Sequence, residues 1–214
     1  MRSIYLIIIS LILTNSVLAD DSFVKLCKSG SLEQISEALK SGASVNDKNN
    51  DGVTPLMYAA GFNKNIEVIK LLIKSGASVK DRDNEGSTPL MYAAQHQTEP
   101  KIIELLIKSG ASVKDRDNEG STPLMYAAAQ QTEPKVIELL IKSGASVNDK
   151  NNDGETPLMR CAKYGKCPEI IMTLLKAKSN GKEKNLLGMT AFDLAQDNEN
   201  IKGTEAYWEL SNAR

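Results

Sequence analysis

The chain has 214 residues, 41% hydrophobic and 25% charged, the balance of a folded protein with a continuous core rather than of a disordered chain. Its 26 basic and 27 acidic residues leave a net charge of −1, which argues against nucleic acid or an anionic membrane as main partner, since both select a basic excess. Aromatics make up only 5%, so the core is expected to be Leu, Ile, Val, Ala and Met.

In chain order, residues 1–19 stand apart. Arg2 precedes an apolar run over residues 4–13, interrupted by Tyr5 and Ser10, and Val17-Leu18-Ala19 follows with small or modest side chains. This is the pattern of a secretory signal removed after Ala19. The run is too short to span about 30 Å of hydrocarbon comfortably, and no Cys follows it to carry a lipid. The expectation is an exported chain, periplasmic or extracellular, with no membrane association after cleavage. Residues 20–52 form the next unit, in which Phe23 and Leu26 are expected to face inward and Gly30 or Ser31 to open a second helix.

From there the sequence repeats. Thr-Pro-Leu-Met begins at Thr54, Thr88, Thr122 and Thr156, and a worn copy places its Thr at 190, each step being 34 residues. Thr is suited to cap a helix, with Pro at the first helical position, where its missing N–H costs nothing. Leu56, Ala59 and Ala60 fall on one face, the alanines allowing a second helix to approach. Pro100 and Pro134 mark second helices, whose apolar residues, Ile102, Ile103, Leu105, Leu106 and Ile107 among them, cover more than one side, as packing between two neighbours requires. Gly76, Gly110 and Gly144 suit left-handed helix stops, and an Asp/Asn/Gly-rich turn ending at Gly52, Gly86, Gly120 or Gly154 projects before the next helix. The units are residues 53–86, 87–120, 121–154 and 155–188. A final unit, 189–214, keeps Phe192, Leu194 and Ala195, and Tyr207, Trp208 and Leu210 are expected to close the stack.

Helix pairs with a projecting turn, carrying Thr-Pro-Leu-Met-Tyr-Ala-Ala, Leu-Leu-Ile-Lys-Ser-Gly-Ala-Ser-Val and Asp-x-x-x-x-Gly in fixed register, resemble the ankyrin-repeat family, here as an exported protein of bacterial type. The resemblance implies an all-α solenoid of stacked helix-turn-helix units, with four internal repeats between N- and C-terminal capping repeats that shield the stack from water. Two departures stand out. Family repeats usually have about 33 residues, so each copy carries an extra residue, most simply placed in the link between its helices. The family's His after Thr-Pro-Leu is Met57, Met91, Met125 or Met159, which puts in doubt the hydrogen-bonded ladder that His supplies.

The resemblance also implies a partner, usually a protein, bound by the turn tips and the exposed side of the first helices, which form a concave face. Position by position that face takes Asn50, Asp51 and Val53, with Gly61 and Phe62 at the helix end; then Asn84, Glu85, Ser87, Gln95 and His96; then Asn118, Glu119, Ser121, Ala129 and Gln130; then Asn152, Asp153, Glu155, Lys163 and Tyr164. Tyr58, Tyr92 and Tyr126 line up along the stack and give way to Arg160, either as a binding stripe or as packing between repeats. The acidic tips predict a partner with a basic surface. Leu186 and Leu187 replace polar tip residues, as an exposed apolar anchor or as packing on the C-terminal cap.

Chemistry finds little footing. The turn Asp81-Arg82-Asp83-Asn84-Glu85-Gly86 imitates half a calcium loop, but the twelfth position, which needs a bidentate acid, is Tyr92, or Tyr126 in the next copy. His96 is the only His, which excludes a site of several imidazoles, and no phosphate-cradling glycine loop is present. The odd set Cys27, Cys161 and Cys167 leaves at least one thiol unpaired. Cys161 and Cys167 can close a disulfide within one unit, which an exported compartment permits, or stand as a buried and an exposed thiol. The expected protein is not an enzyme, has no cofactor or metal, and acts as a monomer. Its expected function is that of an exported adaptor, inhibitor or protective partner. The alternatives are a secreted effector binding host proteins and a structural spacer without a specific ligand.

Overall fold

The computed structural model describes residues 19–97 and 99–214, and the apolar run read as a secretory signal lies outside them. Among the described residues the regular structure is helical. The N-terminal unit holds α1 (Ala19–Ser29) and α2 (Leu32–Lys40). The internal units hold α3 (Pro55–Phe62) and α4 (Ile66–Lys74), α5 (Pro89–His96) and α6 (Pro100–Lys108), α7 (Pro123–Gln130) and α8 (Pro134–Lys142), and α9 (Pro157–Tyr164) and α10 (Pro168–Lys176). The last unit holds α11 (Ala191–Ala195) and α12 (Glu205–Ala213).

Each first helix starts where the sequence dictates. Thr54, Thr88, Thr122 and Thr156 accept from the backbone N–H of Met57, Met91, Met125 and Met159, and Pro follows each cap. The methionines bury their side chains, and the sulfurs of Met57 and Met91 accept in return from Thr54 N–H (3.3 Å) and Thr88 N–H (3.4 Å). Where the family has His, Met thus closes the cap with a weak acceptor.

The first helices stack in one row, α1 on α3, α5, α7, α9 and α11, and the second helices in another. Leu56, Leu90, Leu124 and Leu158 form one fully buried column, Ala60, Ala94, Ala128 and Ala162 a second, and Leu72, Leu106, Leu140 and Leu174 a third. The alanine column lets the first helices approach more closely than the second helices do, which curves the array toward the first-helix side. Second helices end in left-handed residues, Gly42, Gly76, Gly110 and Gly144 at φ of 99, 99, 100 and 96°, and Lys178 takes that place in the fourth internal unit at φ 66°. There Ala77 N–H, for example, reaches back to Leu72 O (3.0 Å).

The links carry a hydrogen-bonded ladder built from amide side chains. Asn63 Nδ2 donates to Cys27 O (3.2 Å) and Gly30 O (3.0 Å) of the preceding unit. Gln97 repeats this to Ala60 O and Asn63 O, Gln131 to Ala94 O and Gln97 O, and Asn198 to Ala162 O and Gly165 O. The ladder skips one rung at Gly165, where a Cβ would come within 2.3 Å of Cys161 O.

At the N-terminal end Phe23, Val24 and Cys27 are buried, Leu26 is half-buried, and Ser31 with Gln34 forms a capping box. At the other end Ala206 and Leu210, one helical turn apart, face the core, and Tyr207 packs on Phe192 at 4.9 Å. Trp208, expected to help close the stack, is 59% exposed. Two residues beyond Ala206, it points roughly to the opposite side of α12.

Candidate protein-binding surface

The turns are built by one residue each. Asp83 Oδ1 accepts from Glu85 N–H (3.0 Å) and Ser87 N–H (2.8 Å), and Asp83 N–H closes on Ser87 O (3.1 Å). Asn49, Asp117, Asn151 and Asn185 do the same in their own units. Gly86 is required at the apex, since its φ is +81° and a Cβ would lie 2.6 Å from Asn118 Oδ1. Each tip is then bonded to the next. Asn84 N–H donates to Asp51 O, Asn118 N–H to Glu85 O, Asn152 N–H to Glu119 O and Leu186 N–H to Asp153 O, all at 2.9 Å. The side chains of Asn84, Asn118 and Asn152 repeat the link, donating to Asn50 O, Asn84 O and Asn118 O. Lower on the turns Arg82 and Arg116 bridge units by ion pairs to Asp115 (3.7 Å) and Asp149 (3.1 Å).

On this frame the expected site residues separate into three groups. Asn50, Asp51, Asn84, Glu85, Asn118, Glu119, Asn152 and Asp153 stand exposed along the ridge of tips. Among the described residues the carboxylates of Asp51, Glu85, Glu119 and Asp153 make no ion pair, whereas Asp115, Asp149 and Glu183 just beside them do. Leu186 and Leu187 end the ridge at 77% and 80% exposure, so they do not pack on the C-terminal cap.

Val53, Ser87, Ser121 and Glu155, expected to face a partner, are buried instead. The residue after the apical Gly turns inward to the helix cap and lies beneath the next unit, as Val53 does among Met57, Tyr58 and Tyr92. Glu155 enters this position paired with Arg160 and Lys163, each at 3.3 Å.

The helix ends form the third group. Gln95 lies half-buried and Lys163 exposed beside a column with a 34-residue register, Lys28, Phe62, His96, Gln130 and Tyr164. Lys28 Nζ lies 4.5 Å from the Phe62 ring, Phe62 stacks on His96 at 4.5 Å, and Lys166 Nζ reaches Gln130 Oε1 at 3.2 Å. Arg160 and Lys163 lie 4.9 and 4.8 Å from the Tyr164 ring. Partial burial, then Lys28 and Lys166, hold the His96 imidazole below its ordinary pKa. Sequence reading missed Lys28 and Lys166. Counting back one repeat from Phe62 would have found Lys28.

The tyrosine row braces the tips. Tyr92 and Tyr126 donate from their hydroxyls to Asp83 Oδ2 (2.8 Å) and Asp117 Oδ2 (2.6 Å). Burial first, then the carboxylate, drives both phenols well above their ordinary pKa. All three cysteines are free thiols, so the structure holds no Cys161–Cys167 disulfide. Burial pushes Cys27 up to about 12 and Cys161 higher still, while Cys167 is raised by burial and by the Glu169 carboxylate its Sγ meets at 2.9 Å. The described residues contain no group of three or more His, Cys, Asp or Glu able to hold a metal ion.

A family profile described as ankyrin repeats (3 copies) matches residues 23–117, 63–151, 99–187 and 124–205. The chain belongs to the ankyrin-repeat family. Among solved structures this ankyrin-repeat chain is similar to a chain of the complex of the Bd0816 predatory endopeptidase with its immunity protein Bd3460, from Bdellovibrio bacteriovorus. The likeness has 30% sequence identity and a TM-score of 0.72, and it covers 90% of this chain and 97% of that one. A search of curated protein sequences finds no match. The family and this likeness support a protein-binding module.

Proposed function

We propose that this ankyrin-repeat protein is a non-catalytic inhibitor of the immunity kind, exported with its target and docking an endopeptidase-type enzyme on its concave face. The observation that carries the reading is the helix-end column. In a stack whose core columns repeat Leu and Ala unchanged, the column Lys28, Phe62, His96, Gln130 and Tyr164 changes at every step. Such variation gives each step its own surface for a partner to read, which supports specific recognition over a spacer built of like copies. The likeness to a structure whose printed partners are an endopeptidase and an immunity protein supplies the class of target.

Other features support binding over chemistry. Reactive cysteines have lowered pKa values, and all three here are raised. The single imidazole stacks on Phe62 between lysines. Export rests on the apolar run over residues 4–13 and the Val17-Leu18-Ala19 site.

The test is co-expression of the chain with the exported endopeptidases of its own genome, alongside the triple variant F62A/H96A/Y164A. The wild-type chain is expected to co-purify with one of them and block its activity. The variant should keep its melting temperature within a few degrees and bind at least about 100-fold more weakly, since aromatic anchors carry a large share of interface energy. Equal binding by both proteins, or by neither, rejects this reading.

A further inference from the structure

Between the first two turn tips lies a cleft of about 260 Å³, lined by Asp51, Val53, Tyr58, Asp83, Glu85 and Tyr92 together with Asn84. Its volume falls below the roughly 300 Å³ at which small-molecule pockets begin, so it suits a single side chain. Three carboxylates face it, and among the described residues none makes an ion pair. Asp83 is fixed by two backbone N–H groups and the Tyr92 hydroxyl, so its charge cannot swing away. Tyr58 and Tyr92 form a wall, ring centroids 6.4 Å apart and planes at 75°. Asp83 and Glu85 both help to keep the Tyr92 phenol protonated, so the negative potential reaches that wall.

The tyrosines along the tips differ in how they are bonded. Tyr92 and Tyr126 are tied to Asp83 and Asp117 of the turns just before their helices, whereas the matching position before Tyr58 is Asn49, whose Oδ1 is already taken by Asp51 N–H (3.0 Å) and Val53 N–H (2.8 Å). The Tyr58 ring leans on Tyr92 instead. At the next step Ser87 replaces Val53, and the Tyr126 hydroxyl donates to Asp117. The described residues have no acid cluster suited to a metal ion, and a carboxylate-rich cleft repels phosphates. Carboxylates beside aromatic faces complement a cation carried on an organic stem.

We propose that this cleft receives one Lys or Arg side chain of the protein partner, its cation between Asp51 and Glu85 and its stem against Tyr58 and Tyr92. The proposal rests on the docking reading above and adds to it a fixed charged contact at the N-terminal end of the ridge. Lys28 is not one of the lining residues, and its Nζ lies nearer the Phe62 ring (4.5 Å) than the Tyr58 ring (6.0 Å).

The test is an NMR titration of the full chain with acetyl-arginine amide, with neutral acetyl-citrulline amide as control and a D51N/E85Q variant. Saturable shifts are expected at Asp51, Val53, Glu85 and the Tyr58 and Tyr92 rings, for arginine alone, and at least about 10-fold weaker in the variant, whose melting temperature should not change. Equal response to citrulline, equal shifts at Glu119 and Asp153, or saturation by calcium in place of arginine overturns the proposal. In the co-expression assay, D51N/E85Q is expected to weaken capture of the endopeptidase. If D51N/E85Q binds it unchanged while F62A/H96A/Y164A loses it, the cleft fails and the docking reading survives. If the wild-type chain captures none, the docking reading fails first.

Discussion

Lys178 occupies the helix-stop position that Gly42, Gly76, Gly110 and Gly144 hold elsewhere, and it is the one described non-glycine residue with positive φ, at 66°. A left-handed L-residue costs about 1–2 kcal/mol, and Gly144 shows that the position needs no side chain, with nothing within 4 Å of its would-be Cβ. K178G is therefore expected to stabilise the protein by about 1 kcal/mol, read as a higher urea midpoint at unchanged m-value. At the same scale, charge moves between positions as a set. Tyr92 and Tyr126 go with Asp83 and Asp117, whereas Arg160 goes with Asn151 and with an acid shifted to Glu155. Ser87, Ser121 and Glu155 read as surface residues in the sequence because they are polar. Glu155 is answered inside its own unit by Arg160 and Lys163, whereas Ser121 Oγ is buried without a hydrogen-bond partner among the described residues, and no single-sequence pattern announces either.

Among the elements, the repeat helices were legible because Thr-Pro starts each internal first helix, a left-handed residue stops each internal second helix and the 34-residue step fixes the register. Trp208 was not, since α12 follows a turn outside the repeat and its phase had no reference copy. The link amides were also hidden. Asn63, Gln97, Gln131 and Asn198 differ in kind and look like ordinary polar linkers, yet each is buried and donates to two carbonyls of the unit before. They supply a cross-unit ladder by another route than the family's His. Q131A strands two buried acceptors, Ala94 O and Gln97 O, and should lower stability by about 1–3 kcal/mol. A thermal melt indistinguishable from wild type would show that water replaces the rung at no cost.

At the scale of the molecule, every unit leans only on its neighbours, which makes the array modular. Deleting residues 88–121 joins Ser87 to Thr122 in the native register, since that segment spans one full repeat. The shortened chain should stay helical by circular dichroism and melt cooperatively, a few degrees lower. It should nevertheless fail to bind the partner, because Phe62 then meets Gln130 where it now stacks on His96. The concave face was only half legible in advance. Its acidic tips and terminal Leu186–Leu187 pair stand where the register places them, but Lys28 and Lys166 enter from a capping unit and a link.

The column Lys28, Phe62, His96, Gln130 and Tyr164 makes its contacts with its own members and with Tyr58, Arg160, Lys163 and Lys166 beside it, while the Leu and Ala columns hold the stack. On the proposed docking, codon changes at those five places would alter what the protein recognises with little penalty in how well it folds. A lineage carrying this scaffold would then be free to follow a drifting partner one substitution at a time, without first having to rescue its own architecture.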